Sequence, residues 1–247
     1  MATTSTTEKS IKAALVVVDM QEDFCPPNGS LAVTDGRDIA PVINDLLDLP
    51  FTIKVATKDW HPLEHISFHT QHQAPNNVAF VSKFTMTNPV NSSETKESLM
   101  WPVHCVQGTN GAEIIPEINT SKIEAIVEKG RDKQVEMYSG FSDAFGNKSD
   151  AYGNKSGATS EDLAALLKSR NISHVYIVGL AGDYCVRWTA QDARREGFEN
   201  VYVIEEAVRS VDPGLDGWGA AVQEMKKMGV ELVSVSGPEV GIVKSLG

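Results

Sequence analysis

Two kinds of chemistry are suggested by how the histidines, cysteines and carboxylates are spaced. Asp59 and His61 stand two residues apart in "TKDWHPLEH". In an extended segment such residues point the same way, so a carboxylate and an imidazole can reach one ion. A third ligand from a distant segment, His104, would complete a facial set of two imidazoles and one carboxylate, which suits Zn²⁺, Fe²⁺ or Mn²⁺. The spacing leaves an alternative. His65, His69 and His72 offer competing pairs three or four apart, and a solvated histidine-rich loop has the same composition.

The second chemistry is nucleophilic. Cys185 lies in "GLAGDYCVRWTA", where a short apolar run gives way to a helical pattern. A helix start presents unpaired N–H groups and a positive dipole end. Both favour a thiolate, and the same N–H groups can hold an oxyanion. A buried core cysteine is the ordinary alternative. Asp19 follows "LVVV", where a carboxylate is costly unless paired or functional. Lys129 is the matching cation, although a solvated lysine is the commoner state. An aspartate and a lysine converging on a thiol would make a charge-coupled triad, the carboxylate taking the thiol proton and the lysine keeping the carboxylate ionised.

These residues depend on strands and helices to meet. "AALVVVDM" (13–20) reads as a buried parallel strand. Further strands are expected at 51–60, 122–130, 174–181, 200–207 and 230–235. Helices are expected at 38–49, 159–170 (with a Ser/Thr cap), 184–197 and 217–229. Strand and helix in alternation predict an α/β fold with a parallel sheet. About six strands are too few for an eight-fold barrel, so a doubly wound three-layer sandwich is expected. Ligands of such sheets bind at the carboxyl ends of the strands. Asp19, Asp59 with His61, Lys129 and Cys185 all follow predicted strand ends. The segment 61–121 is less regular and is expected to hold short helices and loops over one end of the sheet. Residues 143–157 contain a tandem repeat, "DAFGNKS" then "DAYGNKS", expected to be a surface loop.

The totals narrow the classes. The chain of 247 residues is 41% hydrophobic, which fits a single domain over 11–247 behind a disordered polar tail, 1–10. A net charge of -11 argues against nucleic acid and against anionic membranes. No run approaches the length of a spanning helix. The start "MATTSTTEKS" lacks an apolar signal core. Three cysteines with no C-x-x-C pair make no disulfide framework. Cytosol is the expected compartment, with import into nucleus or peroxisome through a partner left open.

With these residues in hand, the sequence resembles the nicotinamidases of the isochorismatase-like cysteine hydrolase superfamily, over about residues 13–236. The resemblance rests on "VVVDMQEDFCPPNGSLAV", "TKDWHPLEHISF", "WPVHCVQGTNGAEI", "EKG" followed by "EMYSGFSD", and "GLAGDYCVRWTA". It implies a three-layer α/β/α sandwich with a six-stranded, mostly parallel sheet. It implies hydrolysis of nicotinamide, and by extension pyrazinamide, a step of NAD salvage. Carried over position by position, it makes Cys185 the nucleophile, Asp19 the general base and acid, and Lys129 their charge partner. Asp59, His61 and His104 become ligands of one divalent metal, with zinc expected before iron or manganese. Phe24, Trp101, Tyr138 and Tyr184 form an aromatic pocket. The resemblance also implies a cis peptide at Leu180–Ala181, with the Ala181 and Cys185 N–H groups forming an oxyanion hole. A further metal ligand from Glu64, His65 or Ser67 is left open.

In "WPVHCVQG" the neighbours His104 and Cys105 would face opposite ways if that segment were extended. His104 is then expected to face the metal and Cys105 the packing. Two other readings remain: another small-amide hydrolase on the same scaffold, and a catalytically silent binding protein. The sequence allows a homo-oligomer without specifying one.

Overall fold

The structure, a computed structural model, describes residues 10–148 and 159–247. The expected tail therefore falls outside the described residues, apart from Ser10, as does most of the tandem repeat. The strands are β1 (Ala13–Val18), β2 (Ile53–Asp59), β3 (Lys83–Asn88), β4 (Asn91–Leu99), β5 (Ala125–Lys129), β6 (His174–Gly179), β7 (Asn200–Val208) and β8 (Glu231–Val233). The α-helices are α1 (Ala40–Leu47), α2 (Leu163–Ser169), α3 (Arg187–Arg195), α4 (Ala220–Lys227) and α5 (Pro238–Lys244).

Six strands form one sheet in the order β5-β2-β1-β6-β7-β8. Every neighbouring pair in it is parallel, so the expected mostly parallel sheet is parallel throughout. Strand alternation divides its residues between two cores. From β1, Ala13, Leu15 and Val17 join one cluster, which also holds Ile43 and Leu46 of α1 and Val240 and Val243 of α5. Ala14, Val16 and Val18 join the other, with Leu163 of α2, Ala190 of α3 and Met225 of α4. Both faces are covered, which is why β1 reads as an unbroken apolar run rather than an alternating one.

Several expectations are corrected. Segment 61–121 holds the expected short helices and loops, at His69–Gln71, Asn110–Ala112 and Thr120–Lys122 among them, but also β3 and β4, which pair as an antiparallel hairpin. Only Phe84, Met86 and Asn88 of β3 turn inward, and β4 is polar and mostly exposed, so the apolar signal was weak. The helix expected from 159 begins at Leu163. Its cap is Asp162, which accepts from the Ala165 N–H, while Thr159 bridges to Lys129. The helices expected from 184 and 217 each open on a wide π turn, Gly182–Val186 and Leu215–Gly219. Helix α5 was not anticipated. The first copy of the repeat is not a plain surface loop. Asp143 is buried, and its carboxylate accepts from the N–H groups of Phe145 and Asn147.

The sheet's switch point lies between β1 and β6. The chain winds one way through β2 and β5, then returns to the other side of β1. Gly179 closes β6 there at φ +112, and a Cβ on it would stand 2.0 Å from the Val18 carbonyl oxygen. Gly179→Ala is therefore expected to cost at least about 3 kcal/mol. A urea-unfolding midpoint equal to wild type would contradict this.

Candidate active site

In an open parallel sheet the ligand crevice forms at the carboxyl ends of the strands flanking the switch point. Asp19 follows β1, Asp59 ends β2, Lys129 ends β5, and Cys185 lies in the π turn after β6. The backbone brings them inward by abrupt turns. Asp19 adopts φ 47, and Leu180–Ala181 is a cis peptide. Gln21 ties two of the strand ends together. Its side-chain amide donates to the Asp59 carbonyl, and its amide oxygen accepts from the Asp59 N–H, each at 2.8 Å.

Lys129 sits at the centre and is fully buried. Its ammonium lies 2.9 Å from Asp19 Oδ2 and pairs with Asp59 Oδ1. It also donates to the Met137 carbonyl at 3.3 Å and approaches Cys185 Sγ at 3.5 Å. One cation thus touches both carboxylates and the thiol. Burial alone would neutralise it, but Asp19 and Asp59 hold its pKa well above the lysine range. The two carboxylates are treated unequally. Burial raises the pKa of Asp19 despite Lys129 and despite the 2.7 Å hydrogen bond from Thr57 Oγ1. For Asp59 burial is outweighed chiefly by the Lys129 ammonium, which keeps it ionised.

The thiol departs from expectation. Its place ahead of α3 suggested a thiolate, but burial lifts the Cys185 pKa well above the ordinary thiol range despite the nearby Lys129 ammonium, and the carboxylates of Asp19 and Asp59 push it the same way as burial. The resting group is a thiol, so an adjacent base must take its proton. Asp19 is placed for this, since a carboxylate oxygen of Asp19, one of Asp59 and the Cys185 sulfur lie within 4.8 Å of one another. That trio could suggest a metal, but the ammonium of Lys129 already supplies its positive charge.

A second cluster joins Asp59, His61 and His104, with ligand atoms also within 4.8 Å. His61 Nδ1 contacts the Gly130 carbonyl and His104 Nδ1 the Pro102 carbonyl, both at 2.8 Å. A carbonyl only accepts, so each Nδ1 carries the proton and each Nε2 presents a lone pair. The two Nε2 atoms face Asp59 Oδ2 at 3.5 and 3.9 Å. Among the described residues, His61 Nε2 is buried with no hydrogen-bond partner. An orphaned buried lone pair beside a carboxylate and a second imidazole fits a bound cation. Of the three further ligands left open, none joins this set. Glu64 is exposed, His65 spends both nitrogens on Ser67 Oγ and the Val135 carbonyl, and Ser67 is occupied by His65.

A small pocket opens beside both clusters. Phe24, Trp101, Tyr138, Ala181, Tyr184 and Cys185 line it, together with Asp59 and His104. Trp101 meets Tyr184 edge-on at 5.0 Å, and Tyr138 lies 5.6 Å from Tyr184. All of the sequence-derived pocket residues converge here. Sequence reasoning missed Leu31, Val33, Val211 and Glu136, which also line it. Glu136 is buried and accepts from the Met137 N–H at 2.9 Å. The only signal for it was its place in the "EMYSGFSD" block. Cys105 is buried in packing, away from the pocket lining, but not because its segment is extended. It adopts φ 47, and its N–H donates to Asp23 Oδ2 at 2.7 Å.

With that geometry in place, comparison with known proteins gives a consistent result. The model of the isochorismatase domain matches residues 13–236. The nicotinamidase of Acinetobacter baylyi is 39% identical over 221 residues, 90% of this chain and 92% of its own length. The crystal structure of the yeast nicotinamidase bound to the inhibitor nicotinaldehyde superposes with a TM-score of 0.78 at 31% identity, covering 90% of this chain and 99% of that one. A Pyrococcus horikoshii pyrazinamidase in complex with zinc gives 0.66 at 34% identity, with the same coverage.

A protonated resting thiol has a direct consequence. Alkylation of Cys185 by iodoacetamide, followed by peptide mass mapping, is expected to keep accelerating as the pH is raised past the ordinary thiol range of about 8.5. A rate that levels off near neutral pH would show a resting thiolate instead.

Proposed function

The chain belongs to the isochorismatase-domain family, and on that premise we propose that it hydrolyses nicotinamide to nicotinate and ammonia. The observation that carries this is the single ammonium of Lys129 in contact with Asp19, Asp59 and Cys185. That contact supports reading Cys185 as the nucleophile, Asp19 as its base and Asp59 as part of a metal-ligand set beside one aromatic-lined pocket.

Cys185 Sγ attacks the carboxamide carbon as its proton passes to Asp19. The raised pKa of Asp19 suits it to hold that proton and then give it to the departing nitrogen, because an amide anion is too poor a leaving group. A nicotinoyl thioester on Cys185 remains. Asp19, now a carboxylate again, deprotonates the water that hydrolyses it. Lys129 keeps Asp19 oriented and neutralises the charge that alternates between carboxylate and thiolate. The backbone N–H groups of Ala181 and Cys185, two residues of the pocket wall, are assigned to the developing oxyanion.

Asp59, His61 and His104 would hold a divalent metal, and zinc is our first choice given the zinc-bound pyrazinamidase relative. Such an ion would supply Lewis-acid contact for the ring nitrogen of the substrate and so fix its orientation. Asp59 belongs to both clusters, so the same carboxylate that would bind the ion also anchors Lys129. The aromatic walls take the faces and edges of the ring. The same chemistry extends to pyrazinamide.

Ammonia release from nicotinamide tests the reading. Cys185→Ala is expected to lower kcat by at least about 10⁴-fold while the circular dichroism spectrum stays unchanged, and wild-type activity in that variant would exclude Cys185 as nucleophile. Asp59→Ala and His104→Ala should lose bound zinc by elemental analysis and raise KM for nicotinamide. Zinc content equal to wild type would contradict the ligand set. Benzamide, which lacks the ring nitrogen, should be a far poorer substrate than nicotinamide, and comparable kcat/KM values would remove the metal's positioning role.

A further inference from the structure

A second, larger cavity of about 660 Å³ lies beside the active pocket, well within the size range of small-molecule sites. Met86, Phe145 and Trp188 give it apolar surface, and its lining carries charges of both signs, Lys96 and Arg195 beside Glu97, Asp143, Asp192 and Glu196. Both cations also lie over those rings, Lys96 5.2 Å from the Phe145 centroid and Arg195 5.8 Å from that of Trp188. None of the residues assigned above to the reaction or to metal binding lines this cavity. Among the lining residues of the two spaces, Tyr138 alone belongs to both. The phenol ring is the partition between them.

The partition is held by its oxygen. Trp101 Nε1 donates to the Tyr138 hydroxyl at 3.0 Å, and Ser98 Oγ hydrogen-bonds the same oxygen at 3.0 Å. Trp101 is a wall of the active pocket. Ser98 comes from β4 of the hairpin and lines the larger cavity. The ring is thus fixed from both sides, which removes the rotamer freedom that would let it swing away. A fixed wall limits the active pocket to one ring even though space exists beyond it.

We propose that Tyr138 is the specificity-determining wall of this enzyme, and that the cavity behind it is a latent subsite for a second aromatic ring carried by a nicotinamide. The inference rests on the reading of the protein as a nicotinamide hydrolase. The chemistry at the carboxamide is unchanged. What the wall decides is whether a ring substituent or fused ring can be seated while the carbonyl carbon stays within reach of Cys185. Met86, Phe145 and Trp188 would pack such a ring.

The test measures ammonia release from nicotinamide and from a panel of larger carboxamides: quinoline-3-carboxamide, 5-phenylnicotinamide and 6-phenylnicotinamide. Wild type is expected to hydrolyse nicotinamide and to turn over the panel poorly. Tyr138→Ala is expected to lose about tenfold in kcat/KM on nicotinamide and to gain at least about tenfold on one or more of the panel, each tenfold corresponding to about 1.4 kcal/mol. Filling the far cavity with Ala144→Phe in the Tyr138→Ala background should reverse the gain, because Ala144 lines that cavity alone. Tyr138→Leu serves as a second variant if the alanine form melts early. No gain on any panel member by a folded variant, or a gain that survives Ala144→Phe, would overturn the inference. Failure of wild type on nicotinamide would instead overturn the functional reading, and the inference with it.

Discussion

The whole arrangement depends on one buried ammonium. Lys129 has no solvent access, and among the described residues it is neutralised by Asp19 and Asp59. An unpaired charge in such a place costs several kcal/mol, and removing one partner of a buried pair typically costs about 3–5 kcal/mol. The carboxylates are equally dependent on the lysine. Each of the three comes from the end of a different strand, so the ion pairs also clamp β1, β2 and β5 together at the rim. The parallel register of those strands brings the three ends to one level. Fold and site therefore constrain each other. The sheet cannot slip by a residue without burying a lone charge.

That clamp also divides labour between two like groups. Asp19 and Asp59 share a cation, yet Asp19 is pushed toward its protonated form and Asp59 is kept ionised. The difference lies in what else each touches. Asp19 has Thr57 and the thiol near it, whereas Asp59 faces two imidazoles. A carboxylate that exchanges a proton and a carboxylate that stays charged are the two parts that an acid–base step beside a metal-ligand set requires. Cys185 receives little activation from its position alone. Its reactivity comes from proton transfer to Asp19 rather than from a preformed thiolate.

Much of this was legible in the sequence because strand ends are legible. Short β-branched runs ending in Asp, Lys or a D-x-H motif direct chemistry to one rim. The two-faced burial of β1 explains why its run is unbroken, and its length fixed where Asp19 would fall. Other features are set by tertiary context. The β3–β4 hairpin carries three inward side chains and an exposed polar partner strand, so periodicity barely marks it. Asp162 displaced the Ser/Thr cap because Thr159 was drawn into a bridge with Lys129. The Cys185 pKa depends on burial and on two carboxylates remote in sequence. Glu136 carries no motif of its own, and only the fold shows it at the pocket. Cys105 reaches its packing position through a left-handed turn rather than through the alternation of an extended segment.

The most direct test of the account is to catch the covalent intermediate. Enzyme and nicotinamide would be mixed, quenched in acid within a single turnover and digested for peptide mass spectrometry. One nicotinoyl group is expected on the peptide containing Cys185, with Cys25 and Cys105 unmodified. A nicotinoyl group on either of those cysteines, or turnover at full rate with no acylated Cys185 at any quench time, would contradict it.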